Sequence, residues 1–236
     1  MTVIAMLPAR IGSTRLKKKN LALVDGEPMI GRVIRATIEA ACFDRIVVNS
    51  DSPVFSEIAD RYGVEFYSRP EVLGGSSVKS DDVVYDFIQS HPSDVVAWVN
   101  PIAPLQQASE ISACMSFMKA NNNDSLFTVR DEQVHCVLDG EPVNFSFDGK
   151  FAQTQDLVPV RRFVYSMMVW RAASFSAAFE RDGHAFFVGS VGYFPVSHES
   201  GIIVKTEADL MMVDMIAQSD RMGKTRLTYD RIAGEE

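Results

Sequence analysis

Cysteine is scarce: Cys42, Cys114 and Cys136 are the three in 236 residues, and no two stand as a CxxC pair. So odd and sparse a set gives no disulfide framework and fits reduced thiols in a cytoplasmic protein. His135 and Cys136 are neighbours, but no second His or Cys pair follows at zinc spacing, so both read as structural. Long apolar runs are missing as well: none reaches the ~18 residues of a membrane span. No leader is expected, because strand-like residues begin at position 2. Positive charge is in the minority, 23 Lys and Arg against 31 Asp and Glu, and the net charge of -8 argues against general nucleic-acid binding. Internal repeats and low-complexity linkers are absent from the sequence.

What is present is ordinary for a globular chain: 47% hydrophobic and 23% charged residues, enough for a sizeable core in one α/β domain over 1–236. Short apolar runs alternate with helical patterns. Strands are expected at 2–7, 45–50, 64–68, 94–100 and 125–129. Helices are expected at 29–41, where Ile30, Val33, Ile34, Ile38 and Ala41 share a face, and at 54–63, 80–91 and 108–121. This alternation predicts a doubly wound, mostly parallel sheet with helices on both faces. Ligands in such sheets bind beyond the carboxyl ends of the strands, which gathers loops 8–20, 49–53, 69–80 and 100–107. Near residue 130 the alternation breaks. Two "DG" signals, in "LDGEP" and "FDGK", predict one or two hairpins leaving the main sheet. Strands follow at 164–172 and 188–196, then a final helix at 206–223 with Glu207 and Asp209 in its first turn.

The first loop concentrates what the rest of the chain lacks. Arg10, Arg15, Lys17, Lys18 and Lys19 fall within ten residues of an acidic protein. A strand, a turn of small residues and then cations suits an anion: the N–H groups of Gly12 and Ser13 can form a concavity, and Arg10 with a lysine can meet the remaining charge. A solvated basic surface is the other reading. The loop is neither GxxxxGK[ST] nor GxGxxG.

The order of motifs resembles the sugar-acid cytidylyltransferases, the family that makes CMP-sialic acid, its bacterial relatives and CMP-3-deoxy-manno-octulosonate. "PARIGSTR…KKKNL…GEPMI" resembles its signature loop, and "VVNSDS" (47–52), "YSRPEVLGGSSVKSDDVV" (67–84), "VNPIAPL" (99–105) and "TEADL" (206–210) follow in family order. The resemblance implies a nucleotide-diphospho-sugar transferase-like fold and transfer of CMP from CTP to a 2-keto sugar acid, with pyrophosphate released. It assigns Arg10 and Lys19 to the triphosphate, Lys19 as the electrostatic catalyst, and Gly12 and Ser13 to phosphate support. It places Asn20 and Arg69 at the cytosine, where Asn and Arg donors can read the O2/N3 edge. Each has a plainer reading: Asn20 shapes the loop, Arg69–Pro70 fixes a turn, and Asp51 caps the helix near Pro53 rather than touching nucleotide. Ser80 and Asp81 also read as caps. The resemblance further implies a homodimer, with about 131–163 as the arm reaching the partner's site.

Three departures stand out. The family's paired aspartates for Mg²⁺ precede "TEEDL"; here Ile203 and Lys205 occupy those places, and neither offers the oxygen a hard dication needs. Either the Lys205 ammonium stands in for the metal or catalysis is lost, which leaves a nucleotide-binding scaffold as the rival function. "QPTSP" has become "NPIAP", keeping an amide at Asn100. The sugar-binding stretch keeps Gln155 within "QDL", while Arg161 and Arg162 come later and offer cations to a carboxylate-bearing acceptor.

Overall fold

A computed structural model of the chain describes residues 1–12, 16–75, 77–223, 229–230 and 232. Among the described residues there are eleven strands and six α-helices. The first half runs β1 (Val3–Ala9), β2 (Leu23–Val24), β3 (Glu27–Pro28), α1 (Met29–Glu39), β4 (Arg45–Ser50), α2 (Val54–Tyr62), β5 (Glu65–Ser68), α3 (Ser80–Ser90), β6 (Val95–Val99) and α4 (Ala108–Asn121). The second half runs β7 (Ser125–Glu132), β8 (Val137–Leu138), β9 (Glu141–Pro142), β10 (Val160–Arg171), α5 (Ala172–Asp182), β11 (Val191–Pro195) and α6 (Glu207–Arg221).

Seven strands form the central sheet in the order β11-β7-β10-β6-β1-β4-β5. β1 is parallel to both β4 and β6, and β5 continues parallel beyond β4. The chain therefore winds outward from β1 to β5, then returns to place β6 on the other side of β1. That reversal opens a crevice at the carboxyl ends of β1 and β6, where α/β sheets take ligands.

β1 shows why the sheet sits in the middle. Val3, Ala5, Leu7 and Ala9 join one apolar cluster, with residues of α1, α2 and α4. Ile4 and Met6 join the other, with residues of α3 and α5. Both faces are covered, so the strand is apolar at every position rather than alternating. A smaller third cluster holds α6 through Val213 and Ala217 against Val24, Met29 and Val204.

The doubly wound expectation therefore holds, with two differences of detail. β7 does not extend the parallel run beside β6. β10 lies between them, antiparallel to both, with a register shift between Phe163 and Met168 where Tyr165 takes φ 55°. Helix α5 was not foreseen, although Phe175, Ala178 and Phe179 lie at helical spacing and Gly183 ends it with φ 75°.

Of the "DG" signals, Asp139–Gly140 turns β8 into β9 with both residues at positive φ, as a type I′ turn needs. Around Asp148–Gly149 the described residues form no ladder. A third pair, Asp25–Gly26, turns β2 into β3. Within 131–163 the chain packs on itself: His135 stacks on Phe151 at 4.1 Å, while Val137, Leu138, Phe147 and Val158 stay exposed.

Candidate functional site

A cleft of about 340 Å³ opens at that crevice. Pro8 comes from β1 and Arg10 from just beyond it, Trp98 from β6 and Asn100 from just beyond it, Arg69 follows the end of β5, and Lys79 and Ser80 stand at the start of α3. Lys19 and Asn20 arrive from a single 3-10 turn, Lys19–Leu21. Lys18 precedes it in the left-handed region at φ 51°, and the Leu21 N–H donates to the Lys18 carbonyl at 2.8 Å. A non-glycine residue held there costs about 1 kcal/mol or more, and that left-handed residue begins the turn that carries Lys19 and Asn20 to the cleft.

Two groups in the wall lack partners. Asn20 and Arg69 are each 6% exposed. Asn20 Nδ2 donates to the Arg10 carbonyl at 3.4 Å, which leaves its buried Oδ1 without a donor. Arg69 Nη2 lies 3.6 Å from Asp51 Oδ1, while its buried Nε has no acceptor. Burial lowers the Arg69 pKa from its usual value, and the Asp51 charge opposes that drop. Trp98 Nε1, a donor, is a third buried polar atom without a partner. Unpaired buried polar atoms are costly, and these three belong to residues that line one cleft.

Asp51 does not cap α2. It pairs with Arg69 and packs under the turn at Glu71–Gly74, where a Cβ on Gly74 would overlap its Oδ2. The reason is tertiary: Arg69, whose N–H donates to the Ser50 carbonyl at 2.9 Å, brings a cation beside it. Ser80 is the first helical residue of α3, not its cap; Asp82 Oδ2 instead accepts from the Lys79 N–H at 3.3 Å. Asp81 turns away to accept from the Ala185 and Phe186 N–H groups at 2.7 and 2.8 Å.

Lys19 Nζ donates to the Val204 carbonyl at 3.2 Å, and the Val204 N–H donates to the Ile102 carbonyl at 2.9 Å. The stretch before α6 thus ties the first loop to the loop after β6. Ile203 and Lys205 flank Val204 but do not line the cleft. The Lys205 N–H and the Thr206 N–H both donate to Asp209 Oδ2, at 2.9 and 2.8 Å, so Asp209 serves the start of α6 as expected.

The remaining candidates fall elsewhere. Gly12 is exposed outside the cleft lining, and Ser13 lies outside the described residues. Asn100 lines the cleft, yet its amide spans the Tyr165 carbonyl (3.1 Å) and the Ile102 N–H (3.4 Å). Arg161 and Arg162 face Asp131 and Glu132 across β10 and β7, at 3.3 and 2.9 Å. Gln155 sits in an exposed 3-10 turn, its carbonyl accepting from Gln133. The cleft gathers Arg10, Lys19, Asn20, Arg69 and Asn100 and does not gather Gln155, Arg161 or Arg162. Lys79 and Trp98 were missed: each needs the sheet order and the start of α3 before it reaches the site.

The cleft lining does not fit a protein-held Mg²⁺. Its oxygen donors are amides, carbonyls and the Ser80 hydroxyl, with no carboxylate. Among the described residues no group of three or more His, Cys, Asp or Glu could hold a metal ion. None of the described helices is long and apolar enough to cross a membrane.

Comparison with known proteins agrees with this geometry. The cytidylyltransferase family model matches residues 4–161. An N-acylneuraminate cytidylyltransferase of Streptococcus agalactiae is 27% identical over 68% of this chain and 41% of its own length. A 3-deoxy-manno-octulosonate cytidylyltransferase of Chlorobium phaeobacteroides is 43% identical over 28% of this chain and 26% of its own length. The chain thus spans less than half the length of these curated relatives. A solved CMP:2-keto-3-deoxy-manno-octonic acid synthetase complexed with CTP superposes with a TM-score of 0.72 at 14% identity, covering 93% of this chain and all of that one, a likeness of fold. With its signature loop and the ends of β1, β4, β5 and β6 inside the matched region, the chain belongs to the cytidylyltransferase family.

Proposed function

We propose that the cleft binds CTP and that the protein transfers CMP to an acidic sugar, a 2-keto-3-deoxy sugar acid such as a sialic-acid-like or octulosonate compound. The observation that carries this is the pair of unpartnered buried atoms, Asn20 Oδ1 and Arg69 Nε, beside Arg10 and Lys19. Cytosine presents an amino donor at N4 and acceptors at N3 and O2. Because Asn20 Nδ2 is engaged with the Arg10 carbonyl, Asn20 would accept from N4 rather than donate, and Arg69 would donate to the acceptor edge. Uracil carries an acceptor at position 4 and would face Asn20 Oδ1 lone pair to lone pair.

In the transfer, the acceptor's anomeric oxygen forms a bond to the α-phosphorus. The bond from that phosphorus to the bridging oxygen breaks, its electrons leave with pyrophosphate, and the hydroxyl proton passes to solvent. Lys19 and Arg10 would neutralise the charge that grows on the phosphates, with Gly12 and Ser13 supporting them. The Val204 carbonyl would hold the Lys19 ammonium in place.

On the acceptor side, Asn100 would shape the wall. Gln155, Arg161 and Arg162 would act across a homodimer, carried by the arm at 131–163, whose exposed Val137, Leu138, Phe147 and Val158 suit a partner surface. The test is pyrophosphate release from CTP with a panel of 2-keto sugar acids. Release that requires both CTP and one acid supports the reading; no release with any acid, in a protein that folds and binds CTP, contradicts it. Sedimentation as a monomer at micromolar concentration would remove the dimer.

A further inference from the structure

Resting on the CTP reading, the geometry points to a cleft that holds the nucleotide's phosphates with side-chain cations in place of a protein-held divalent ion, with Lys79 as the added cation. Arg10, Lys19, Arg69 and Lys79 all line the cleft, and no carboxylate does. Between Arg10 and Asn20 the sequence contains no Asp or Glu at all. Four acids near these residues in sequence are engaged, and Glu71, exposed in the turn after Arg69, is off the cleft lining. Asp51 faces Arg69 at 3.6 Å, Asp81 accepts from two backbone N–H groups, and Asp82 accepts from the Lys79 N–H. Asp86 accepts from Tyr67 Oη at 3.0 Å.

Lys79 differs from the other three in its support. It stands at the start of α3, an eleven-residue helix whose partial positive end adds to its own charge, and Ser80 beside it offers a hydroxyl. Arg69, a residue of the same lining, keeps a buried Nε that has no acceptor. A metal-free CTP carries about four negative charges; with Arg69 paired to Asp51, it is Arg10, Lys19 and Lys79, together with the positive end of α3, that offset most of that charge without a dication. Lys205, the substitute suggested by motif position, is exposed and off the cleft lining, with its N–H joined to Asp209. The charge that motif position assigned to Lys205 is supplied by Lys79, at the start of α3.

Isothermal titration tests this. Wild-type protein is titrated with CTP in EDTA and again in excess Mg²⁺, then Lys79→Gln in both, with CMP as the control ligand. The expected affinities for wild type lie within about threefold of one another with and without Mg²⁺. Lys79→Gln should weaken CTP about tenfold in EDTA and CMP much less, as loss of one charge-assisted phosphate contact predicts. Mg²⁺ should then recover part of that loss, which a merely structural role for Lys79 would not give. The inference is overturned if wild type binds CTP more than about tenfold tighter with Mg²⁺, or if Lys79→Gln binds CTP as wild type does. Failure of CTP to bind under any condition would instead bring down the nucleotide reading on which it rests.

Discussion

Replacing Arg69 with methionine while leaving Asp51 in place separates what Arg69 does for the fold from what it does for the ligand. The pair sits at 3.6 Å with the Arg69 side chain 4% and the Asp51 side chain 13% exposed. At that distance and an effective dielectric near 20 the attraction is on the order of 4–5 kcal/mol, most of it offset by the cost of taking both charges out of water. Removing one partner leaves the other charge buried alone, so Arg69→Met should destabilise the protein by about 3 kcal/mol. In a domain of this size that lowers Tm by roughly 6–12 °C. Adding Asp51→Asn removes the stranded carboxylate and should restore most of the stability. CTP binding should stay lost in both, because the proposed reading has Arg69 donate to the base. Thermal unfolding and CTP titration of the two single variants and the double complete the cycle. A double variant that regains both stability and CTP affinity would refute the assignment of Arg69 to the base, and a thermally silent Arg69→Met would refute the electrostatic argument.

Trp98 and Trp170 are the only tryptophans, and Trp170 is fully buried in the core. CTP should therefore change the emission of Trp98, a change that Trp98→Phe abolishes and Trp170→Phe keeps, read by fluorescence titration. Lys205→Asp should leave CTP affinity within about twofold of wild type in EDTA, since it is off the cleft lining; a tenfold loss would return Lys205 to the phosphates. The Ser190 N–H and then the Ser174 hydroxyl hold the Asp124 carboxyl below its usual pKa, outweighing desolvation. Its contribution is therefore complete above the unfolded pKa of about 3.9 and is lost as pH falls through the lower folded value. Asp124→Asn should make denaturant stability fall less steeply below about pH 4.

The strands that lead to the cleft were legible because burial on both faces makes them continuous apolar runs. Arg45–Ser50 falls where the sequence places it, and α4 matches its expected ends. Asn20 and Arg69, singled out by motif order, both line the cleft, and Asn20 keeps a buried Oδ1 without a donor. Helix α5 was hidden because "AASFSAAFERDG" carries its helical signal in only a few apolar residues between two strong strand runs. The place of β10 was hidden for another reason: an antiparallel strand inserted between β6 and β7 leaves no local mark in either neighbour. Asp51 read as a helix cap because its partner, Arg69, is eighteen positions away in sequence. Arg161 and Arg162 read as free cations because cross-strand pairing with Asp131 and Glu132 depends on register. Lys79 and Trp98 reach the site only through the sheet order and the start of α3, which no spacing rule supplies.

The most direct measurement is an equilibrium titration of the wild-type protein with CTP and with UTP under the same conditions. If Asn20 Oδ1 accepts from the cytosine amino group, CTP binds at least about tenfold tighter than UTP, the worth of one buried hydrogen bond made rather than opposed. Equal affinities for the two, or binding of neither, would contradict the account of the cleft as a cytidine-nucleotide site.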